Sequence, residues 1–133
     1  MASKAKRKST ARARRAHPKL DPAFTSIGRK KATMAAFLKE VDAEAALEKE
    51  GVKAGSPRAR AAAAKWHIAC VADDRATRAL VRTIPRTLGG LAALAEYAAE
   101  IYVNEIHPAR LAAGATLLRS IAEAAIRLRV AQQ

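Results

Sequence analysis

Residues 51–57 read Gly51-Val52-Lys53-Ala54-Gly55-Ser56-Pro57, and they divide two long alanine-rich stretches. Glycine supplies the backbone freedom with which helices end. Ser56-Pro57 is a helix start: the serine oxygen can accept from the first unpaired amides, and proline loses nothing at a position whose N–H has no partner. The same start signal stands upstream at Asp21-Pro22. Two long helices joined by so short a connection predict an antiparallel hairpin.

Working outward, the first helix has Phe24, Ile27, Met34, Leu38, Val41 and Ala45 at helical spacing, with Lys31 interrupting one position. This a/d-type set is its predicted inward face. A helix of about 28 residues would be ~42 Å long. The second is predicted from Pro57 to about Arg82, with a seam of Ala62, Trp66, Ala69, Ala76 and Leu80. Alanine favours the helix and permits close approach, but each one buries little area.

Thr83-Ile84-Pro85-Arg86-Thr87 breaks the chain again, and Thr87 is placed to cap a third helix. That helix carries Leu88, Leu91, Leu94, Ala98, Ile101 and Tyr102, with Gly89 and Gly90 in its first turn. Asn104 to Pro108 ends it. Pro108 opens a fourth helix whose inward set is read as Leu111, Leu118, Ile121, Ala125 and Leu128. Arg119–Glu123 and Glu123–Arg127 are i,i+4 pairs expected on its outer side. No run alternates with period two, so no strand is expected. The fold class is all-α, a long helical hairpin plus two shorter helices in a four-helix, bundle-like arrangement.

The charge layout gives the domain organisation. The 133-residue chain holds 25 Lys and Arg against 12 Asp and Glu, a formal net charge of +13. Residues 1–20 contain Lys4, Lys6, Arg7, Lys8, Arg12, Arg14, Arg15 and Lys19 and no acid, so most of the excess sits there. Leu, Ile, Val and Phe number only 26, which with this charge borders on the composition of disordered chains. Setting aside 1–20 relieves that imbalance. The expectation is a disordered basic tail over 1–20 and a helical domain over 21–133.

The stretch Thr83-x-Pro85-x-Thr87-Leu88-x-Gly90-Leu91-x-Ala93-Leu94-x-x-Tyr97-Ala98 resembles a set of short, all-helical bacterial proteins of uncharacterised function. In these a long helical pair precedes a Thr-Pro-Thr-Leu-Ala-Gly-like turn and a short amphipathic helix. The resemblance spans roughly Asp21 to Leu128. It implies the helical fold and brings no activity and no functional residue with it.

Several chemistries find no support in the residues. One cysteine, Cys70, cannot form an internal disulfide. No apolar stretch is long enough to span a membrane, and no apolar segment follows the basic start as in a secretory signal. A cytoplasmic protein is expected. His17, His67 and His107 lie in separate segments. His67, Cys70 and Asp74 fall short of the four ligands of a structural zinc site. Cys70, next to Ala69 and one turn after Trp66, is expected as a buried structural thiol. Asp73 and Asp74 are adjacent and point ~100° apart on a helix, which does not suit paired acid–base work. Glu96 and Glu100 share a face and read as surface acids. Neither a phosphate-binding glycine loop nor a Gly-x-Ser-x-Gly elbow is present. No enzyme activity, cofactor or metal is expected.

Two basic features remain. The eight cations of 1–20 can sit beside successive phosphates and release counterions, which favours binding to DNA or RNA without sequence readout. That segment has no aromatic residue for base stacking. Arg75, Arg78 and Arg82, spaced three and four apart, share a helical face, and Arg86 follows. The N-terminal amides of the third helix, Thr87 to Gly90, would add an anion-attracting end to this stripe. The expected function is therefore binding, with nucleic acid ahead of the alternative, a helical protein–protein or self-assembly module working through alanine-rich faces.

Overall fold

The computed structural model describes residues 21–102 and 108–133. Four helices follow one another: α1 (Pro22–Lys49), α2 (Pro57–Val81), α3 (Leu88–Tyr102) and α4 (Pro108–Ala131). No strand occurs among the described residues. The helix starts fall where the cap-then-proline pairs put them. The Asp21 carboxylate accepts from the Ala23 N–H, and the Ser56 hydroxyl accepts from the Ala59 N–H. Helix α1 ends at a left-handed glycine, Gly51, with φ of 73°. The Gly51 N–H reaches the Glu48 carbonyl and the Val52 N–H reaches the Leu47 carbonyl. This pair of bonds is the Schellman arrangement, and it uses carbonyls that the helix end would leave open.

Helix α1 lies against α2 and α3, and α4 lies against the same two, so the four helices close a square with α1 and α4 on one diagonal. The core sits at the end of the square where α1 begins and α2 stops. Ala23, Ile27, Leu80, Leu94, Tyr97, Ala98 and Leu117 form it, and Leu80, Leu94 and Leu117 are fully buried. Each of those leucines stabilises the fold by roughly 1.5–3 kcal/mol through area removed from water. Towards the hairpin turn, Phe37 and Trp66 meet at a centroid distance of 6.0 Å. Past Phe37 the remaining 12 residues of α1, about 18 Å of helix, contribute none of the core residues.

That far part of the hairpin has few apolar contacts but complementary charge. Glu40, Asp42, Glu44, Glu48 and Glu50 outnumber Lys39 and Lys49 on the α1 arm, whereas Arg58, Arg60 and Lys65 lie on the facing α2 arm with no acid among them. One exposed pair closes between them, Arg58 to Glu50 at 2.6 Å.

Two helices keep part of the predicted inward set, Ile27 and Met34 in α1 and Ile121 and Leu128 in α4, but are rotated so that the rest faces outward. In α1 the inward seam is Ala23, Ile27, Lys30, Met34 and Phe37, while Phe24, Leu38, Val41 and Ala45 are exposed. Lys30 takes a core position because Asp73 of α2 meets it there. Its Nζ lies 2.6 Å from Asp73 Oδ2, and Thr33 donates to Asp73 Oδ1 at 2.9 Å. In α4 the buried residues are Leu117 and Ala124, with Ile121 and Leu128 half-buried, while Leu111, Leu118 and Ala125 face outward. The Ser120 hydroxyl helps to fix that rotation by donating to the Val81 carbonyl at 2.7 Å. The seam of α2 is as the sequence predicts.

Candidate nucleic-acid interface

The end of the bundle at which the described chain begins is built around one carboxylate. Asp21 caps α1, and its second oxygen, Oδ2, accepts from the N–H groups of Arg86 and Thr87 at 2.7 Å each and from the Thr87 hydroxyl at 2.8 Å. Thr87 Oγ1 in turn accepts from the Gly90 N–H at 3.0 Å, capping α3. Burial by itself would raise the Asp21 pKa. The four hydrogen bonds together outweigh it and hold the group below its usual 3.8. The anion that the start of α3 attracts is therefore the chain's own. The amides that the sequence offered to an external phosphate are partly committed, because Arg86, Thr87 and Gly90 already donate within the protein.

The arginines around this latch are uncommitted. Arg82, Arg86 and Arg127 border an open groove of about 590 Å³, floored by Pro85 and Leu128 and reaching Pro22. All three are exposed and none makes an ion pair among the described residues. Among the described residues no acidic side chain lines the groove. Pro22, two residues after Leu20 and so next in sequence to the basic segment 1–20, lies at the rim of the groove.

The sequence-derived candidates are thus divided. Arg82 and Arg86 come together in the groove. Arg75 and Arg78 stand exposed on the outer face of α2, in line with Ile68, Val71 and Arg82 at alternating spacings of three and four. Lys4, Lys6, Arg7, Lys8, Arg12, Arg14, Arg15 and Lys19 lie outside the described residues. Arg127 is the member that sequence reasoning missed. It looked like the partner of Glu123, but neither expected pair of α4 forms. Nothing in local spacing connects it to Arg86.

Compared with protein-family models, with curated proteins and with solved structures, the chain matches none of them.

The other candidate chemistries are placed as follows. Cys70 is half-exposed, not buried as expected. It lines a cleft of about 200 Å³ with Lys30, Met34, Phe37, Asp73 and Tyr102, to which α1, α2, α3 and α4 all contribute. The Lys30 amine and the Asp73 carboxylate in that cleft are tied to each other. Glu96 and Glu100 are exposed beside Lys31, whose Nζ lies 5.6 Å from the centre of the Tyr97 ring. Among the described residues no three of His, Cys, Asp and Glu are grouped to share a metal ion. No helix among them is long and apolar enough to cross a membrane.

Proposed function

We propose that this protein binds nucleic acid through phosphate contacts, with residues 1–20 and the Arg82–Arg86–Arg127 groove acting together on one strand or duplex. The observation that carries this reading is the groove itself: three guanidinium groups without an ion pair among the described residues, from two stretches far apart in sequence, beside Pro22, which follows a segment of eight further cations. Guanidinium is always charged and presents forked donors that match phosphate oxygens. The other described residues of the groove are Pro22, Thr83, Ile84, Pro85, Leu128 and Ala131, and none of these is an aromatic that could stack on a base. Affinity is therefore electrostatic and indifferent to sequence.

The test is the salt dependence of binding to duplex DNA and duplex RNA. If all eight cations of 1–20 meet phosphates, they contribute about −7 to the log–log slope, and the three groove arginines about −3 more. Replacing the eight by glutamine in the full chain should remove the larger part, and Arg82→Ala, Arg86→Ala and Arg127→Ala together the smaller. Unchanged slopes in both variants would refute the reading.

A separate observation, the apolar outward face of α4, favours self-association as a second property.

A further inference from the structure

Helix α4 is apolar on the side that faces away from the core as well as on the side that faces it. Leu117, Ala124, Ile121 and Leu128 point inward. On the opposite side Leu111, Leu118, Ile126 and Val130 are 49, 61, 64 and 65 % exposed, and Ala115 and Ala122 lie between them. Arg119, Glu123 and Arg127 occupy one flank of α4, but its apolar surface is wider than the part that packs on the core, and apolar helix surface is normally buried. Among the described residues α2 and α3 cover two sides of α4, and none covers the outward side.

We infer that this face is the interface of a two-fold dimer in which α4 packs antiparallel against α4 of a second copy. Three features identify the occupant. The first is spacing. Leu111, Ala115, Leu118, Ala122, Ala125 and Arg129 follow one another at intervals of four, three, four, three and four, the seam of a helix that pairs with another helix. The second is self-complementarity, which a two-fold interface requires. With Ala122 on the axis, Leu118 stands opposite Ile126 of the second copy, so a small residue at the centre is flanked by large ones. Arg119 then lies diagonally across from Glu123 of the second copy, on the same flank. Within one chain these two charges make no pair although they are four residues apart, so both are available. The third is area. Four large side chains at roughly 100 Å² each, with the intervening alanines and arginine stems, offer about 600–700 Å² per copy. Doubled, that is about 1,300 Å², inside the range of stable interfaces.

The protein's own leader does not suit this face, since residues 1–20 contain eight cations and only Met1 and Leu20 as large apolar residues. Nucleic acid does not suit it either, because the seam is apolar over most of its length.

Sedimentation equilibrium of the full chain from about 1 to about 200 μM should show a mass twice the 14.2 kDa of one chain at the upper end. Leu118→Glu and Ile126→Glu, both at exposed positions, should leave helicity unchanged and weaken the dimer at least ~tenfold. Ala122→Cys in a Cys70→Ser background should form a disulfide-linked dimer under mild oxidation, because the axis brings the two copies of position 122 together. A mass of 14.2 kDa at every concentration overturns the proposal. So does a dimer indifferent to both glutamates, or a strict monomer that binds anionic vesicles through this face. None of these measurements involves nucleic acid, so their failure would leave the phosphate-binding reading standing.

Discussion

Gly90 and Asp21 fit together with no room for a methyl group: a Cβ built on Gly90 would overlap the Asp21 carboxyl carbon and both of its oxygens. Gly90→Ala should therefore destabilise the protein, although alanine is the better helix former by about 1 kcal/mol. Its neighbour behaves oppositely. A Cβ on Gly89 would meet the Phe24 ring and the Thr87 hydroxyl at 3.9 Å, ordinary contact distance. Gly89→Ala should stabilise by about 0.5–1 kcal/mol through the unfolded chain. Thermal melts of the two single variants should move in opposite directions.

Asp21→Ala removes the cap of α1 and strands the amides of Arg86 and Thr87. The expected cost is about 2–4 kcal/mol in urea unfolding. The carboxyl is held below its usual 3.8 in the folded protein. Its contribution is thus complete above about pH 4 and is lost as the pH falls through the folded value. Between pH 5 and pH 2 the wild type should lose more stability than Asp21→Ala does.

Removing one partner of the Lys30–Asp73 pair should cost more than removing both. Lys30 is 4 % exposed, so Asp73→Ala leaves a nearly enclosed ammonium without its counter-charge. That costs about 3–5 kcal/mol. Lys30→Met combined with Asp73→Leu should recover most of it. A double-mutant cycle by chemical denaturation measures the difference.

Tyr97 is pushed up to about 12, chiefly by burial and then by Tyr102, Asp73 and Glu100 nearby. An ultraviolet titration of Tyr102→Phe, which isolates Tyr97, should show no tyrosinate until the pH is well above 10. The unfolded chain gives up this proton near pH 10. Stability from the group is therefore full below pH 10 and declines as the pH climbs towards about 12.

The far part of the hairpin should open before the bundle, and salt should make it open more readily. Its arms carry opposite charge and little apolar area, whereas Leu80, Leu94 and Leu117 are fully buried. Raising sodium chloride from about 0.05 to about 0.5 M shortens the screening length severalfold. Hydrogen exchange should speed up at residues 40–48 and 60–66 and change little around Leu80 and Leu94.

Helix starts were legible because they are local: Asp21-Pro22 and Ser56-Pro57 carry their own capping chemistry. Which side of each helix turns inward was less so. With 35 alanines in 133 residues, several rotations of a helix present similar surfaces, and the choice is made elsewhere. In α1 the choice is made by Asp73, which is 43 positions from the lysine it meets. In α4 the deciding bond joins Ser120 to a carbonyl 39 positions earlier. The groove had the same difficulty. Arg82 and Arg86 were visible as neighbours, but Arg127 reaches them only through the packing of α4. The double duty of Asp21, capping one helix and holding the start of another, had no counterpart in any spacing.

Asp21 is also the residue through which the basic stretch 1–20 is covalently joined to α1. A polymer gripping residues 1–20 would exert its traction there, on a residue clamped by four hydrogen bonds rather than on a fraying helix tip. Two of the groups that clamp it belong to Thr87, so the load divides between the roots of α1 and α3. A pull applied at Asp21 would thus haul the whole bundle along instead of peeling off its first helix.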